Sequence, residues 1–230
     1  MSQRTLPGDP PVELILRRST RARRISLRVS GLDGRVTLTL PKGASERQAM
    51  QFARTKSDWL RAQLHRQTPP SGVRPGTALP IEGRQTLVSV AEQGRITHVD
   101  DTLIVPGPAS TLPARIEGWL KTRARDRLVA ASDRFASSIG HSYSRITLRD
   151  TRSRWGSCSV EGRLMYSWRL ILAPPDVLEY VAAHEVAHLA EMNHSPAFWA
   201  NVAVLMPSYQ APREWLHDNG AELHRYRFRD

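Results

Sequence analysis

The sequence predicts an α+β fold. Short runs of alternating apolar residues recur through the first 106 residues, as in half-buried strands. From residue 111 apolar positions recur instead at steps of three or four, the period of a helix face. Strands return after that helix and neighbouring strands are joined by hairpin turns, so the order is mixed rather than a regular strand–helix alternation.

The first strand pair is ISLRV at 25–29, which sends Ile25, Leu27 and Val29 to one side, and VTLTL at 36–40, with Val36, Leu38 and Leu40. SGLDG between them supplies the glycines of a tight reversal, and Pro41 stops the second strand. Ser45 with Gln48 has the pattern of a capping box, opening a helix to about residue 66 with Phe52, Trp59, Leu60 and Leu64 on its buried side. TPPSGVRPG at 68–76 reads as a linker. Strands follow at TLVSV (86–90), RITHV (95–99) and TLIVP (102–106). A helix from Thr111 carries one stripe, Ile116, Leu120, Ala124, Leu128, Ala131, Phe135 and Ile139, and Gly140 ends it. Next come a strand at RITLRD (145–150), a turn at WGSCSVEG (155–162) and a strand at RLMYSWRLIL (163–172). Pro174 and Pro175 break that strand, and Asp176 is placed to cap another helix. The organisation expected is a basic hairpin-plus-helix region over 1–75, short strands over 76–110, and a chemistry-bearing part over 111–230.

Hydrophobic content of 40% and charged content of 24% suit a globular chain with a buried core. No apolar run is long enough for a membrane-spanning helix, and MSQRTLPGDPPVEL lacks the apolar stretch of a secretory signal. The single cysteine, Cys158, excludes an internal disulfide framework and fits a reducing compartment. A cytoplasmic protein with no membrane partner is the expectation. The net charge of +11 is concentrated early: residues 1–75 hold 15 Lys/Arg against 5 Asp/Glu, whereas residues 76–230 hold 18 against 17. RRSTRARR at 17–24 is the densest block, and such a block attracts nucleic acid, nucleotides or an acidic partner. A solvated strand face explains it somewhat better, and with only three of the 33 basic residues lysine a general arginine bias inflates the count.

HEVAHLAEMNH at 184–194 gathers three of the eight histidines beside a glutamate. On a helix begun at Asp176, His184 and His188 lie one turn apart on one face, close enough for both imidazoles to reach one ion. Glu185 is offset around the helix and can contact a water on that ion without ligating it, as needed to deprotonate water for attack on a carbonyl or phosphoryl centre. Two histidines and one further ligand leave a fourth tetrahedral position open, which separates a catalytic zinc site from a structural one. His194 is the candidate third ligand. A continuous helix would turn it about 240° away from the ligand face, so the helix must stop first. Asn193 tolerates the left-handed conformation that ends helices, and Ser195 with Pro196 reads as the N-cap and first position of a new helix, PAFWANVAVLM. HExxH alone arises by chance in about one chain in a hundred of this length. The apolar lead-in and a third histidine at a helix break are what make it specific here.

WGSC, then WRLILAPPDVLEYVAAHEVAHL, then MNHSPAFW resemble the YgjP-like metallopeptidase family, relatives of the SprT and WLM zinc peptidases. The likeness runs from RRSTRARRISLRV to PSYQAPREWL at 207–216, strongest over 154–216 and looser over 40–140. It implies a zincin-like metallohydrolase domain over 111–230 behind a β-rich N-terminal part, or one YgjP-like unit spanning all three regions. It also implies Zn2+ held by His184, His188 and His194, with Glu185 as catalytic acid/base. Metzincins place a glycine where this chain has Glu191, so the bend differs from theirs. Glu191, Glu214 and Glu222 are outside candidates for a gluzincin-like third ligand.

Around the motif, Cys158 has no histidine beside it in sequence and reads as a small interior residue rather than a nucleophile. The strand at 163–172 is expected to flank the cleft, where an extended peptide can add to it. Arg154 and Arg169 suit structural ion pairs better than anion binding, and Trp155, Trp168, Phe198 and Trp199 suit a core. Tyr166 and Tyr209 are both candidates to donate to a developing oxyanion. Three functions fit: a zinc-dependent metallopeptidase acting on peptide or protein; a metal-dependent nucleoside triphosphate pyrophosphohydrolase acting on an anionic nucleotide; and a nucleic-acid-associated protein acting on DNA-bound proteins, as the SprT-like relatives suggest.

Overall fold

The computed structural model describes residues 2–31, 34–65 and 71–229, and the chain divides into two compact units, residues 1–70 and 71–230. The α+β class and the β-rich N-terminal part are what the structure has.

In the first unit β1 (Ser2–Leu6), β2 (Val12–Arg18), β3 (Ser26–Val29) and β4 (Val36–Leu40) form a sheet in the order β1-β2-β4-β3. The central pair, β2 and β4, is parallel and the outer pairs are antiparallel. Strict alternation buries Val12, Leu14 and Leu16 together with Val36, Leu38 and Leu40 on one face. That face shares a core with Ala49 and Ala53 of α1 (Glu46–Thr55) and Leu60 of α2 (Ser57–His65). The capping box is present: Ser45 Oγ accepts from Gln48 N–H at 3.2 Å, and Gln48 Oε1 accepts from Ser45 N–H at 2.9 Å. The single helix expected to residue 66 is instead two. Thr55 Oγ1 donates to the Phe52 carbonyl at 2.8 Å, a local bond that competes with the helix ladder, and the chain breaks at Lys56. Trp59 is consequently 45% exposed rather than buried with Leu60. Leu32 and Asp33 of the expected SGLDG turn, and residues 66–70 of the expected linker, lie outside the described residues.

The second unit begins with β5 (Ser71–Gly72), followed by β6 (Ala78–Ile81), β7 (Arg84–Ala91), β8 (Thr97–Val99) and β9 (Thr102–Pro106). The last four form a sheet in the order β6-β7-β9-β8, with β7 and β9 parallel. Its buried residues Leu79, Val88, Leu103 and Val105 join one core with Ile116, Leu120 and Leu128 of α3 (Leu112–Ser138). Helix α3 ends as Gly140 predicts. Gly140 has φ +66°, its N–H reaches the Ser137 carbonyl, and His141 N–H reaches that of Ala136, the bond pair of a Schellman cap.

Next, β10 (Arg145–Arg149), β11 (Gly156–Cys158) and β12 (Arg163–Ser167) form a sheet in the order β10-β12-β11. Two expectations change here. WGSC does not lie in a turn, because Gly156–Cys158 pairs antiparallel with Cys158 opposite Leu164. The strand expected over 163–172 stops at Ser167, and Trp168–Leu172 coils into a buried 3-10 helix. α4 (Pro175–Ala187), α5 (Pro196–Leu205) and α6 (Gln210–Asn219) complete the helices, and β13 (Tyr226–Arg227) returns to pair with β5. Pro174, not Asp176, occupies the N-cap of α4; Asp176 sits in its first turn, where a carboxylate complements the helix dipole. α4 is buried nearly all round and packs on α3, α5 and α6. Among the described residues no helix is long and apolar enough to cross a membrane.

Candidate metal centre

α4 delivers the first two histidines and then stops. Val177, Val181, Ala182, Ala183 and Val186 anchor it in the core, fixing the direction of His184 and His188. The regular helix ends at Ala187, with His188 as its C-cap. This is earlier than expected, and Asn193 does not supply a left-handed residue, since its φ is not positive. The turn is made by other bonds. Leu189 N–H and Ala190 N–H close back onto the carbonyls of Val186 and Ala187, and Asn193 Oδ1 accepts from Ser195 N–H at 2.9 Å. Ser195 then caps α5, accepting from Phe198 N–H, with Pro196 in the first turn.

The result brings all three histidines together. Ring centroids lie 5.1 Å apart for His184–His188, 5.0 Å for His184–His194 and 4.9 Å for His188–His194. One nitrogen from each lies within 4.8 Å of the others, and among the described residues this is the one such cluster of His, Cys, Asp or Glu. Glu191, Glu214 and Glu222 are not in it. Nε2 of His184 and Nε2 of His194 are 3.1 Å apart. Nitrogens on adjacent corners of a zinc tetrahedron with bonds of ~2.0–2.1 Å are separated by about 3.3 Å, so the donor set fits a tetrahedral ion. His188 Nδ1 lies 3.0 Å from the Glu191 carbonyl and donates to it, which leaves Nε2 with its lone pair free, the usual outer bond of a metal-binding imidazole. Glu191 thus acts through its backbone.

Phe198 was read only as core. It is fully buried and lies beneath all three imidazoles, its centroid 4.9 Å from His184, 4.4 Å from His188 and 4.7 Å from His194. This apolar floor, with the buried α4, disfavours the charged form of His184 and His188. Burial first, and then the mutual proximity of the histidines, pushes His184 down to about 3; burial lowers His188 also. Neutral imidazoles are the form that binds a cation.

Glu185 is buried on the neighbouring face of α4, with its carboxylate against Gly156 of β11. A Cβ on Gly156 would lie 2.5 Å from Oε1, so only glycine leaves room for this carboxylate. Burial pushes Glu185 up to about 8, opposed by the charge of Arg154. Cys158, on the same strand, is pushed up to about 11 by burial and by Glu185, so it stays a thiol and no nucleophile. Of the other residues weighed from sequence, Arg169 is structural: it pairs with Asp150 at 2.6 Å and donates to the carbonyls of Leu223 and Tyr226. Tyr166 is fully buried with its hydroxyl 3.0 Å from Ser132 Oγ, away from any substrate. Tyr209 stacks on Trp199 beside the histidines. Strand β12 is the middle of its sheet, paired on both sides, so the edges are β10 and β11, of which β11 is the one against Glu185, and residues 163–167 have no edge open to an added strand.

Residues 23–219 match the profile of the YgjP-like family, described as YgjP-like, metallopeptidase domain. The chain belongs to the YgjP-like family. No curated protein matches it significantly. Among solved structures, the metallopeptidase zymogen of Pyrococcus abyssi abylysin is 21% identical, over 45% of this chain and 97% of that chain, with a TM-score of 0.35, too slight a likeness to support a comparison of folds. As a YgjP-like metallopeptidase domain the chain is a hydrolase of metallopeptidase type using a divalent metal, and its three clustered histidines are able to hold one.

Proposed function

We propose that the chain is a zinc-dependent peptidase of zincin-like type in which His184, His188 and His194 hold the metal and Glu185 is the general base. The observation that carries this is the closed triangle of imidazoles with a buried carboxylate one residue along the same helix. Zinc held there supplies a Lewis acid that brings the pKa of water down to ~7 and polarises a carbonyl. The carboxylate of Glu185 takes the proton of the attacking water and then hands it to the leaving amine nitrogen. Its burial suits both transfers, since a carboxyl group raised to about 8 holds a proton longer than an ordinary one, and a cation beside it favours its ionised form. The free edge of β11 provides main-chain groups along which an extended peptide pairs, running past Glu185. Tyr209 is the remaining candidate to donate to the developing oxyanion.

The test is a side-by-side screen of peptides, casein-like proteins and nucleoside triphosphates with zinc content measured. Wild type should carry close to one zinc and cleave peptides. Glu185→Gln should keep the metal and lose at least a hundredfold in kcat, and His194→Ala should bind zinc more weakly. Glu185-dependent release of pyrophosphate with peptides left intact would replace this reading by the pyrophosphohydrolase one.

A further inference from the structure

Guanidinium groups with a structural task in the second unit are paired: Arg123 and Arg127 on Glu82, Arg134 on Glu179, Arg169 on Asp150 and Arg229 on Glu117. The guanidinium of Arg213, in the first turns of α6, has no hydrogen bond or carboxylate partner among the described residues, its backbone N–H alone bonding the Tyr209 carbonyl. It lies over the ring of Trp199, 4.5 Å from the centroid. Trp199 stacks in turn against His194 at 6.0 Å and meets His184 edge-on at 5.9 Å. Tyr209 braces the other contacts of this wall, 5.7 Å from Trp199 and 6.5 Å from Tyr180. The guanidinium is therefore held on an aromatic platform beside the three histidines. A guanidinium held over a ring with no hydrogen-bonded partner has its N–H groups available to grip a carboxylate with two parallel bonds. Through Trp199 its distance from the His184 ring is capped at roughly 10 Å, about three residues of extended peptide at ~3.3 Å each.

We propose that Arg213, stacked on Trp199, binds a carboxylate of the peptide, so that the site selects substrates carrying an acidic group within about three residues of the cleaved bond. The proposal rests on the peptidase reading above. Two sources share this chemistry, an Asp or Glu side chain and a free C-terminus.

The test uses the zinc-loaded full chain and internally quenched peptides that differ only in Asp, Asn or Lys at each position flanking the cleaved bond, with free and amidated C-termini. The wild type should prefer the carboxylate-bearing member roughly tenfold in kcat/KM, carried mainly by KM, the size expected for one charge-assisted pair at a partly exposed site. Arg213→Gln should bring that ratio close to one, and Arg213→Glu should turn the preference toward Lys-bearing peptides. A preference confined to Asp peptides identifies a side-chain subsite, and one abolished by amidation identifies the C-terminus. Equal preference in wild type and Arg213→Gln, or none in wild type, overturns the proposal. Binding of the same peptides to Glu185→Gln, followed by tryptophan fluorescence, separates the two readings. If nothing is cleaved yet acidic peptides bind tighter in an Arg213-dependent way, the peptidase reading fails and the carboxylate site stands; if binding shows no such preference, the site falls.

Discussion

At the scale of single residues, the tightest constraint is on a glycine rather than a histidine. Gly156→Ala would place a methyl group 2.5 Å from Oε1 of Glu185. The carboxylate is the end of a flexible side chain, so the fold survives by turning it aside, but displacing the proposed base by about 1 Å would cost on the order of a hundredfold in rate. We expect kcat to fall by that order with zinc content and melting temperature nearly unchanged; normal turnover in this variant would remove Glu185 from the reaction. The sequence made His184 and His188 legible because helical spacing alone puts them on one face, and Ser195-Pro196 marked the restart beyond His194. It did not reveal Gly156 or Arg213. Their tasks depend on which surfaces meet α4 and α6, and no local pattern carries that information. Phe198 was visible as an apolar residue, but nothing in its neighbours says that three imidazoles rest on it.

At the scale of elements, the strands and helices with several turns of consistent period could be read in advance, α3 and its glycine stop best of all. Gly140 has open space around it, so Gly140→Ala isolates the backbone cost of φ +66° for an L-residue, roughly 1 kcal/mol. A urea titration should show the midpoint lowered accordingly, with Gly140→Asn in between, because asparagine tolerates this conformation better. An unchanged midpoint for the alanine variant would mean that the cap contributes nothing. Short elements were harder. β11 has three residues, one of them glycine, and is a strand only because β12 pairs with it. The end of α4 was misplaced because Glu191 and Asn193 act through a backbone carbonyl and a side-chain oxygen, choices made by the fold around them. β1 and β2 were missed although Val12, Leu14 and Leu16 alternate plainly.

At the scale of the whole molecule, the half-buried His224 contributes to the response to acid. His224 is stacked on Trp155 at 5.0 Å, and burial with the nearby Arg169 charge pushes it down to about 4. Unfolded, it titrates near ~6.5. Between those values the unfolded chain takes up a proton that the folded chain refuses, so the His224 contribution is level above about 6.5 and falls as pH drops toward 4. The difference in stability between wild type and His224→Phe, which keeps a ring against Trp155 without titrating, should show that slope in melting curves taken across pH, since His184, His188 and Glu185 titrate alike in both; a difference that does not vary with pH would contradict the assignment. A second fall belongs lower. Burial alone would raise Glu82, Glu117 and Asp150, but Arg123 with Arg127, Arg229 with Lys121, and Arg169 outweigh it and hold all three below the usual range. Their contribution is present above ~4 and is lost as they protonate beneath it.

The short β5–β13 clasp has a consequence for chain connectivity. Ser71 N–H meets the Arg225 carbonyl and Val73 N–H that of Arg227, which sets the start and finish of the second unit side by side. Because the two strands run parallel, a short linker back along the clasp would join them, the kind of proximity that tolerates circular permutation with new ends cut at an exposed turn.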